Sequence, residues 1–299
     1  MDHRAAFDFE IDFSNGGGLQ GQGFRLDIDG DDISDEALAA YIIRDLRLLM
    51  IGEVRILDKR IIEEPHKRAG APAMARAESD GGTTRAMVDL SHRIEHGMVT
   101  LKGFPAPLIC DYLSREQSRA HYAPGTEFNI ARIDMIANTG TYLDTPFHRY
   151  ADGDDLAALR LEQVTDLAGV VVRVTGMERR AIDWPVFAPV EVRGRAVLVE
   201  TGWDAHWGTE RYFDGHPFLT RKAAEHLRDA GALLVGIDSL NIDDTTDGTR
   251  PVHTILLGAG IPIVEHLTGL SALPLDGFRF SAVPPKVVGM GTFPVRAHA

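Results

Sequence analysis

Three runs of apolar residues constrain this chain more than anything else in it: LAGVVVRV at 167–174, AVLVE at 196–200 and LLVGI at 233–237. A strand with one wet face alternates apolar and polar side chains; these runs do not alternate. Both of their faces must therefore be covered, which is the situation of interior strands in a mixed sheet with helices packed on it. The stretch 220–230 supplies such a helix, with Ala223, Ala224, Leu227 and Ala230 at helical spacing along one face. IPIV at 261–264 and KVV at 286–288 predict further short strands, and residues 99–136 read as loop and strand segments. The class is α/β.

The first 67 residues follow a different pattern. Phe7, Phe9, Ile11 and Phe13 alternate with acidic residues, and Phe24, Leu26 and Ile28 alternate again after the glycine-rich SNGGGLQGQG. Two alternating runs around a glycine loop predict a hairpin. The loop lacks the Lys-Ser/Thr of a phosphate-binding loop and opens no helix, so it is not read as a phosphate cradle. The acidic DIDGDDISDE that follows is not a calcium loop either. Counted from Asp27, Asp32 stands where the loop needs glycine and Leu38 where it needs glutamate. Instead, Ser34 caps a helix whose positive N-terminus carries Asp35 and Glu36. Leu38, Tyr41, Ile42, Leu46 and Leu49 form its apolar stripe, Gly52 stops it, and Val54, Ile56, Ile61 and Ile62 make a closing strand. The result is a small α+β (ββαβ) module over 1–67, with fifteen acidic against eight basic residues. Its expected role is docking a protein partner or oligomerising. Residues 68–84, small, polar and Gly/Pro-containing, read as a linker, and 85–299 as the main domain.

Charge and motifs remove several function classes. A net charge of −13 repels nucleic acid and anionic membrane alike. The acidic start does not read as a signal peptide, and no run reaches the roughly 18 apolar residues of a membrane span. Cys110, the single cysteine, permits no internal disulfide and suits a reducing compartment, so the expectation is a cytoplasmic protein. GxSxG, HExxH and CxxC are missing, and no GxGxxG stands in a dinucleotide-binding setting, since the glycine-rich loop at 14–23 opens no helix. What remains is ANTGTYLDTPFHRYADG at 137–153. If 138–144 is extended, its period of two aligns Asn138, Gly140, Tyr142 and Asp144 on one face; Pro146 ends the pairing and His148 follows on the turn. An amide, a phenol, a carboxylate and an imidazole converging from one segment make a site, since the inward face of a core strand would be aliphatic. Two later pieces join it: GIDSLNIDD at 236–244, with acids just past a buried run, and His253 with Glu265. Asp, His and Glu are the ligands of a hydrolytic divalent metal, although such residues also cap helices and pair on surfaces.

From Asp89 to Arg296 the chain resembles the cyclase family of metal-dependent hydrolases, which includes kynurenine formamidase and isatin hydrolase. TGTYLDTPFHRYADG is similar to the family's HxGTHxDxPxH signature and the ADG that follows it. DLSH at Asp89, ETGWDAHWGTERYF at Glu200, HPFLT at His216, GIDSLNID at Gly236 and the closing PPKVVGMGTFPVRA support the match. The resemblance implies a swivelling β/β/α fold, a small-molecule substrate and a homo-oligomer. It leaves the N-terminal module as an addition. The signature supplies two histidines and an aspartate to a metal, and its last histidine acts in acid–base catalysis. Asp144 and His148 match the aspartate and that last histidine, while His253 and Glu265 match two further metal positions. Asn138 and Tyr142 stand where the two ligand histidines belong.

These replacements change the chemistry expected of the site. Asparagine offers a neutral carbonyl oxygen, and a phenol must lose a proton held at a reference pKa of about 10 before it can bind a cation. A set of Asp144, His253, Glu265 and Asn138 is oxygen-rich and favours manganese or magnesium over zinc; a metal-free site is the other outcome. The expected function is hydrolysis of a small amide, lactam or lactone, with a metal or Tyr142 polarising the carbonyl and His148 moving the proton. The alternatives are a metal-independent cyclase or dehydratase using Tyr142 and His148, and a non-catalytic binding or scaffold protein. His92, His206 and His216 are second-rank candidates, with Trp203 and Trp207 as pocket or packing residues.

Overall fold

The structure, a computed structural model, describes residues 2–14, 18–28, 30–45, 51–64 and 87–299. The linker expected at 68–84 lies outside these residues, as do Leu46 and Leu49 of the expected helical stripe. The chain divides into two units. One holds 1–84 with 95–98 and 105–136; the other holds 85–94, 99–104 and 137–299. Residues 105–136, kept with the C-terminal domain on sequence grounds, thus group with the N-terminal module.

In the first unit, β1 (Asp2–Phe13), β2 (Gly18–Asp27) and β3 (Ile51–Glu64) form an antiparallel sheet in the order β2-β1-β3, and α1 (Asp35–Asp45) lies between β2 and β3 in sequence. Ser34 caps α1 as expected, its Oγ accepting from Ala37 N at 3.1 Å. Gly52 lies within β3 rather than at a helix end. Phe7, Phe9, Ile11, Phe24, Leu38 and Ile42 form the core, and Leu108 joins them from β4 (Leu108–Leu113). This last contact explains the grouping, because among the described residues β4 pairs only with β5 (Ile130–Asp134), a ribbon too small to bury its own apolar side chains. The four-residue α2 (Arg115–Ser118) sits between these strands. Gly21 faces Phe9 across the β1–β2 pairing, where a Cβ would stand 2.3 Å from the ring.

The second unit is built on a seven-stranded mixed sheet. Its strands are β6 (Tyr142–Asp144), β7 (Leu167–Arg173), β9 (Arg195–Glu200), β11 (Leu234–Ile237), β12 (Ile263–Glu265), β13 (Asp276–Phe280) and β14 (Thr292–Pro294), in the order β13-β7-β9-β11-β12-β6-β14. A short parallel pair, β8 (Ala181–Ile182) with β10 (Phe218–Leu219), lies apart from it. β7, β9, β11 and β12 run parallel; β13 pairs antiparallel with β7 and β6 antiparallel with β12, and β14 pairs antiparallel with β6. The three apolar runs are its centre, as their pattern requires. Val170, Val172, Val197, Val199, Val235 and Ile237 pack on one face beneath α3 (Arg221–Ala230) and α4 (Pro251–Gly258). Val171, Ala196, Leu198 and Leu234 pack on the other, beneath Leu90, Leu156, Val164, Leu270 and Phe280. Thr220 caps α3 through Ala223 N, and Ala223, Ala224 and Leu227 are buried. No helix among the described residues is long and apolar enough to cross a membrane.

Two expectations fail here for local reasons. KVV at 286–288 is not a strand; the edge position goes instead to Thr292–Pro294. Only Tyr142–Asp144 of the expected 138–144 strand is extended, because Gly140 takes φ +67° and bends the chain just before it.

Candidate active site

β6 is three residues long and paired on both sides. On one side Tyr142 faces Glu265 and Asp144 faces Ile263 of β12. On the other, Asp144 faces Thr292 and Tyr142 faces Pro294 of β14. The pleat then puts Tyr142 and Asp144 on one face, with Glu265 and Thr292 as their cross-strand neighbours. Beyond Asp144, a 3-10 turn over Pro146–His148 brings His148 back, its Nδ1 3.7 Å from Asp144 Oδ1. Two glycines back this turn at close quarters. A Cβ on Gly153 would lie 2.6 Å from Pro146 C, and one on Gly291 would lie 2.2 Å from His148 N.

His253 arrives from the N-terminus of α4, a helix whose short, largely apolar sequence carries no stripe to announce it. Arg250 turns the chain in the left-handed region at φ +45°, and Pro251 starts the helix at a position where its missing N–H costs nothing. Asp243 holds this end in place. Its carboxylate accepts from Val252 N at 2.7 Å and His253 N at 3.0 Å, and pairs with His253 Nδ1 at 2.7 Å. The imidazole is thereby aimed so that Nε2 faces Asp144 Oδ2 and Glu265 Oε1, each 3.7 Å away.

The site is deeply buried. Asp144 is 0% exposed, Glu265 1% and His253 6%. Glu265 accepts from Tyr142 OH at 2.6 Å and from Ile242 N at 2.6 Å, with Asn241 Nδ2 at 3.4 Å. Burial still pushes the Glu265 carboxyl up to about 7, helped by the negative Asp144 and opposed by His253. Burial alone would lower His253, but Asp144, Asp243 and Glu265 outweigh it and raise the imidazole to about 10. Burial, together with Glu265 and Asp144, raises the Tyr142 phenol well above its usual range, against the side-chain hydrogen bond from Asn138. Asn138 therefore meets Tyr142, and the phenol proton is engaged by Glu265.

The donor set suits a divalent cation. Asp144 Oδ2 is buried with no hydrogen-bond partner. Its 3.7 Å separation from His253 Nε2 is beyond hydrogen-bond reach, yet within the span of two ligands each about 2.1 Å from one shared ion. Donor atoms of Asp144, His148 and His253 all lie within 4.8 Å of one another. Two carboxylates and one neutral imidazole would also balance the charge of such an ion.

Among the residues expected at the site, Asp144, His148, His253, Glu265, Tyr142 and Asn138 are brought together. The second-rank histidines separate. His92 stacks on Trp207 with ring centroids 3.8 Å apart, and burial lowers it to about 4. His266, which no sequence pattern singles out, stands 5.1 Å from the Tyr142 ring and pairs with Tyr212 OH at 2.9 Å; burial lowers it to about 3. His216 is tied to Asp243 O at 3.1 Å. His206 and Trp203 line a separate cleft of about 510 Å³ with Arg179, Arg180 and Arg211. Thr292 and Asp243 are likewise site residues that the sequence does not mark individually. Both sit in stretches the resemblance covers, but neither type signals chemistry until pairing or helix capping places it.

The Cyclase family model, described as a putative cyclase, matches residues 88–244. This chain belongs to the cyclase family. Its relatives include the kynurenine formamidase of Bordetella avium (strain 197N), 30% identical over 193 residues, which are 61% of this chain and 86% of that protein. The kynurenine formamidase of Geobacillus thermodenitrificans (strain NG80-2) is 27% identical over 212 residues, 70% of this chain and 95% of that one. Among solved structures, a "potential metal-dependent hydrolase with cyclase activity" is 26% identical with a TM-score of 0.59, covering 71% of this chain and 96% of its own. Isatin hydrolase A from Labrenzia aggregata, bound to benzyl benzoate, is 20% identical with a TM-score of 0.60 over 71% and 92%, a likeness of fold. Where the resemblance implies two ligand histidines, this chain carries Asn138 and Tyr142.

Proposed function

We propose that this chain hydrolyses the C–N bond of a small amide or lactam, with His148 as the acid–base residue beside a divalent cation held by Asp144, His253 and Glu265. The kinship with kynurenine formamidases supports an amide hydrolase acting on a small molecule. The observation that carries the site is the convergence of Asp144 Oδ2 and Glu265 Oε1 on His253 Nε2, each at 3.7 Å. A bound cation supplies a Lewis acid for the amide carbonyl. Two carboxylate oxygens against one imidazole favour manganese or magnesium over zinc.

The side chains divide the remaining work. His148 takes a proton from the attacking water as the oxygen bonds to the carbonyl carbon, then returns it to the departing nitrogen as the C–N bond breaks, leaving a carboxylate and an amine. Its side chain is 35% exposed, so water and substrate reach it. Asp243 orients His253 and fixes which nitrogen faces the carboxylates. Tyr142 donates its hydrogen bond to Glu265, which leaves carbonyl polarisation to the cation.

One observation favours a metal-free reading. Burial lowers His253, but Asp144, Asp243 and Glu265 outweigh it and raise the imidazole to about 10, so a protonated His253 would offset one of the carboxylate charges without a metal. Elemental analysis of the full chain separates the two. A stoichiometric metal that is lost in Asp144→Ala supports the hydrolase with a cation, and metal-free protein with full activity overturns it. On a panel of amides, lactams and lactones, His148→Ala should lower kcat about 10²–10⁴-fold. Unchanged turnover would remove His148 from the mechanism.

A further inference from the structure

We propose that Thr292 is a positioning residue that holds His148 as the Nδ1–H tautomer and so makes Nε2 the nitrogen that exchanges protons with water and substrate. The proposal rests on the reading of His148 as the acid–base residue, and it goes further by assigning the reactive nitrogen and the group that selects it.

Counting protons selects the tautomer. The Thr292 hydroxyl lies between two partners, Asp144 Oδ1 and His148 Nδ1, the latter at 2.8 Å. A hydroxyl has a single proton to donate and lone pairs with which to accept. Thr292 Oγ1 donates to Asp144 Oδ1, and a carboxylate oxygen can only accept. The Thr292 proton therefore goes to Asp144. Towards His148 the hydroxyl is then an acceptor, and Nδ1 must carry the hydrogen. The opposite tautomer would set two lone pairs against each other at 2.8 Å with no proton between them. In a neutral ring protonated at Nδ1, the lone pair sits on Nε2. The ring's hydrogen bond to the protein is made through Nδ1, and with the side chain 35% exposed this assignment gives Nε2 to water and substrate.

The fold makes this contact close. The β14–β6 register sets Thr292 directly opposite Asp144, and Thr292 is only 3% exposed. The preceding residue, Gly291, accepts from Thr145 N at 2.7 Å and presses against the turn that carries His148. A Cβ there would lie 2.2 Å from His148 N, 2.6 Å from its Cα and 2.8 Å from Phe147 C. Only glycine allows the two backbones to meet, and their meeting brings the hydroxyl to the ring. The arrangement also separates two roles for His148. Binding a cation through Nδ1 would require a lone pair on that atom, which is the opposite tautomer.

The test reads the tautomer first and turnover second. In full-length protein labelled with ¹⁵N-histidine, long-range proton–nitrogen correlation spectra at a pH where the ring is neutral should show His148 protonated at Nδ1 and bare at Nε2. The signals are assigned by their loss in His148→Gln, and the pattern should be the same in metal-free and zinc-loaded protein. Thr292→Val, of matching shape but without a hydroxyl, should shift His148 towards the Nε2–H form; Thr292→Ser should keep the wild-type pattern. On an amide the enzyme hydrolyses, Thr292→Val should lower kcat about 10²-fold with KM within about twofold, and Thr292→Ser should recover to within about threefold. An Nε2–H ring in the wild type overturns the proposal, as does a valine variant with unchanged kcat or a serine variant as slow as valine. If no amide is turned over, the proposed hydrolysis fails, while the wild-type spectrum still decides the role of Thr292.

Discussion

Replacing His253 with glutamine should remove most of the pH dependence from the stability of the metal-free C-terminal unit. The surrounding carboxylates raise the His253 imidazole from 6.5 to about 10, against the cost of burial. The native state therefore holds a proton that the unfolded chain has released everywhere between these two values. A group with a raised native pKa stabilises fully below its unfolded value, and that stabilisation is lost as pH climbs through the folded value. The window is accordingly pH 6.5 to 10. At about 1.4 kcal/mol per pH unit, the shift corresponds to on the order of 5 kcal/mol. Glu265, raised to about 7, acts with the same sign at lower pH, because its native carboxyl also holds its proton longer. All three tryptophans, Trp184, Trp203 and Trp207, lie in the C-terminal unit, so urea unfolding followed by tryptophan emission reports on that unit. The stability difference between wild type and His253→Gln should shrink by several kcal/mol between about pH 6 and about pH 10 after metal is stripped with chelator. Saturating manganese or zinc should flatten the wild-type curve, since metal and proton compete for the same Nε2. Parallel wild-type and variant curves across this range would refute the electrostatic reasoning.

Individual contacts around the site make further outcomes measurable. Tyr142→Phe removes a buried donor 2.6 Å from Glu265 and should cost about 1.5–3 kcal/mol in urea unfolding, while kcat falls less than about tenfold; a larger loss of turnover would return Tyr142 to the reaction itself. Asp243→Asn removes the carboxylate that orients His253 and should weaken metal affinity about 10–100-fold in chelator competition, with Asp243→Glu intermediate. Gly291→Ala should lower both the thermal midpoint and kcat, because its Cβ would meet the His148 backbone at 2.2 Å, whereas alanine at Gly289, where a Cβ meets nothing, carries only the strain of its positive φ.

What is legible in the sequence divides along the range of the interactions involved. The three apolar runs identify the central strands because burial on both faces leaves its mark on each run alone. Ser34 and Thr220 mark helix starts for the same reason: each cap is made to a backbone N–H close by in the chain. Gathering Asp144, His148, His253 and Glu265 needs the family resemblance, since these residues are spread from position 144 to position 265. Thr292 is out of reach, because a threonine becomes informative only when β14 pairs with β6. The helix at 251–258 is short and apolar on most sides, so no stripe distinguishes it. The strand expected from Asn138 fails at Gly140, whose positive φ accompanies close packing against Ile94, 3.0 Å from where a Cβ would stand.

The double pairing of β6 bears on how such a site can change over evolutionary time. A strand held on both sides cannot slip in register, so the backbone positions of residues 142 and 144 are set by their neighbours rather than by their own side chains. Chemistry at this address is therefore exchangeable. Tyrosine or histidine at 142 would point into the same space from the same Cα, and the change would alter the ligands without redesigning the scaffold. The three-residue strand works as a socket, and Tyr142→His is the shortest route to fitting it with a different reagent.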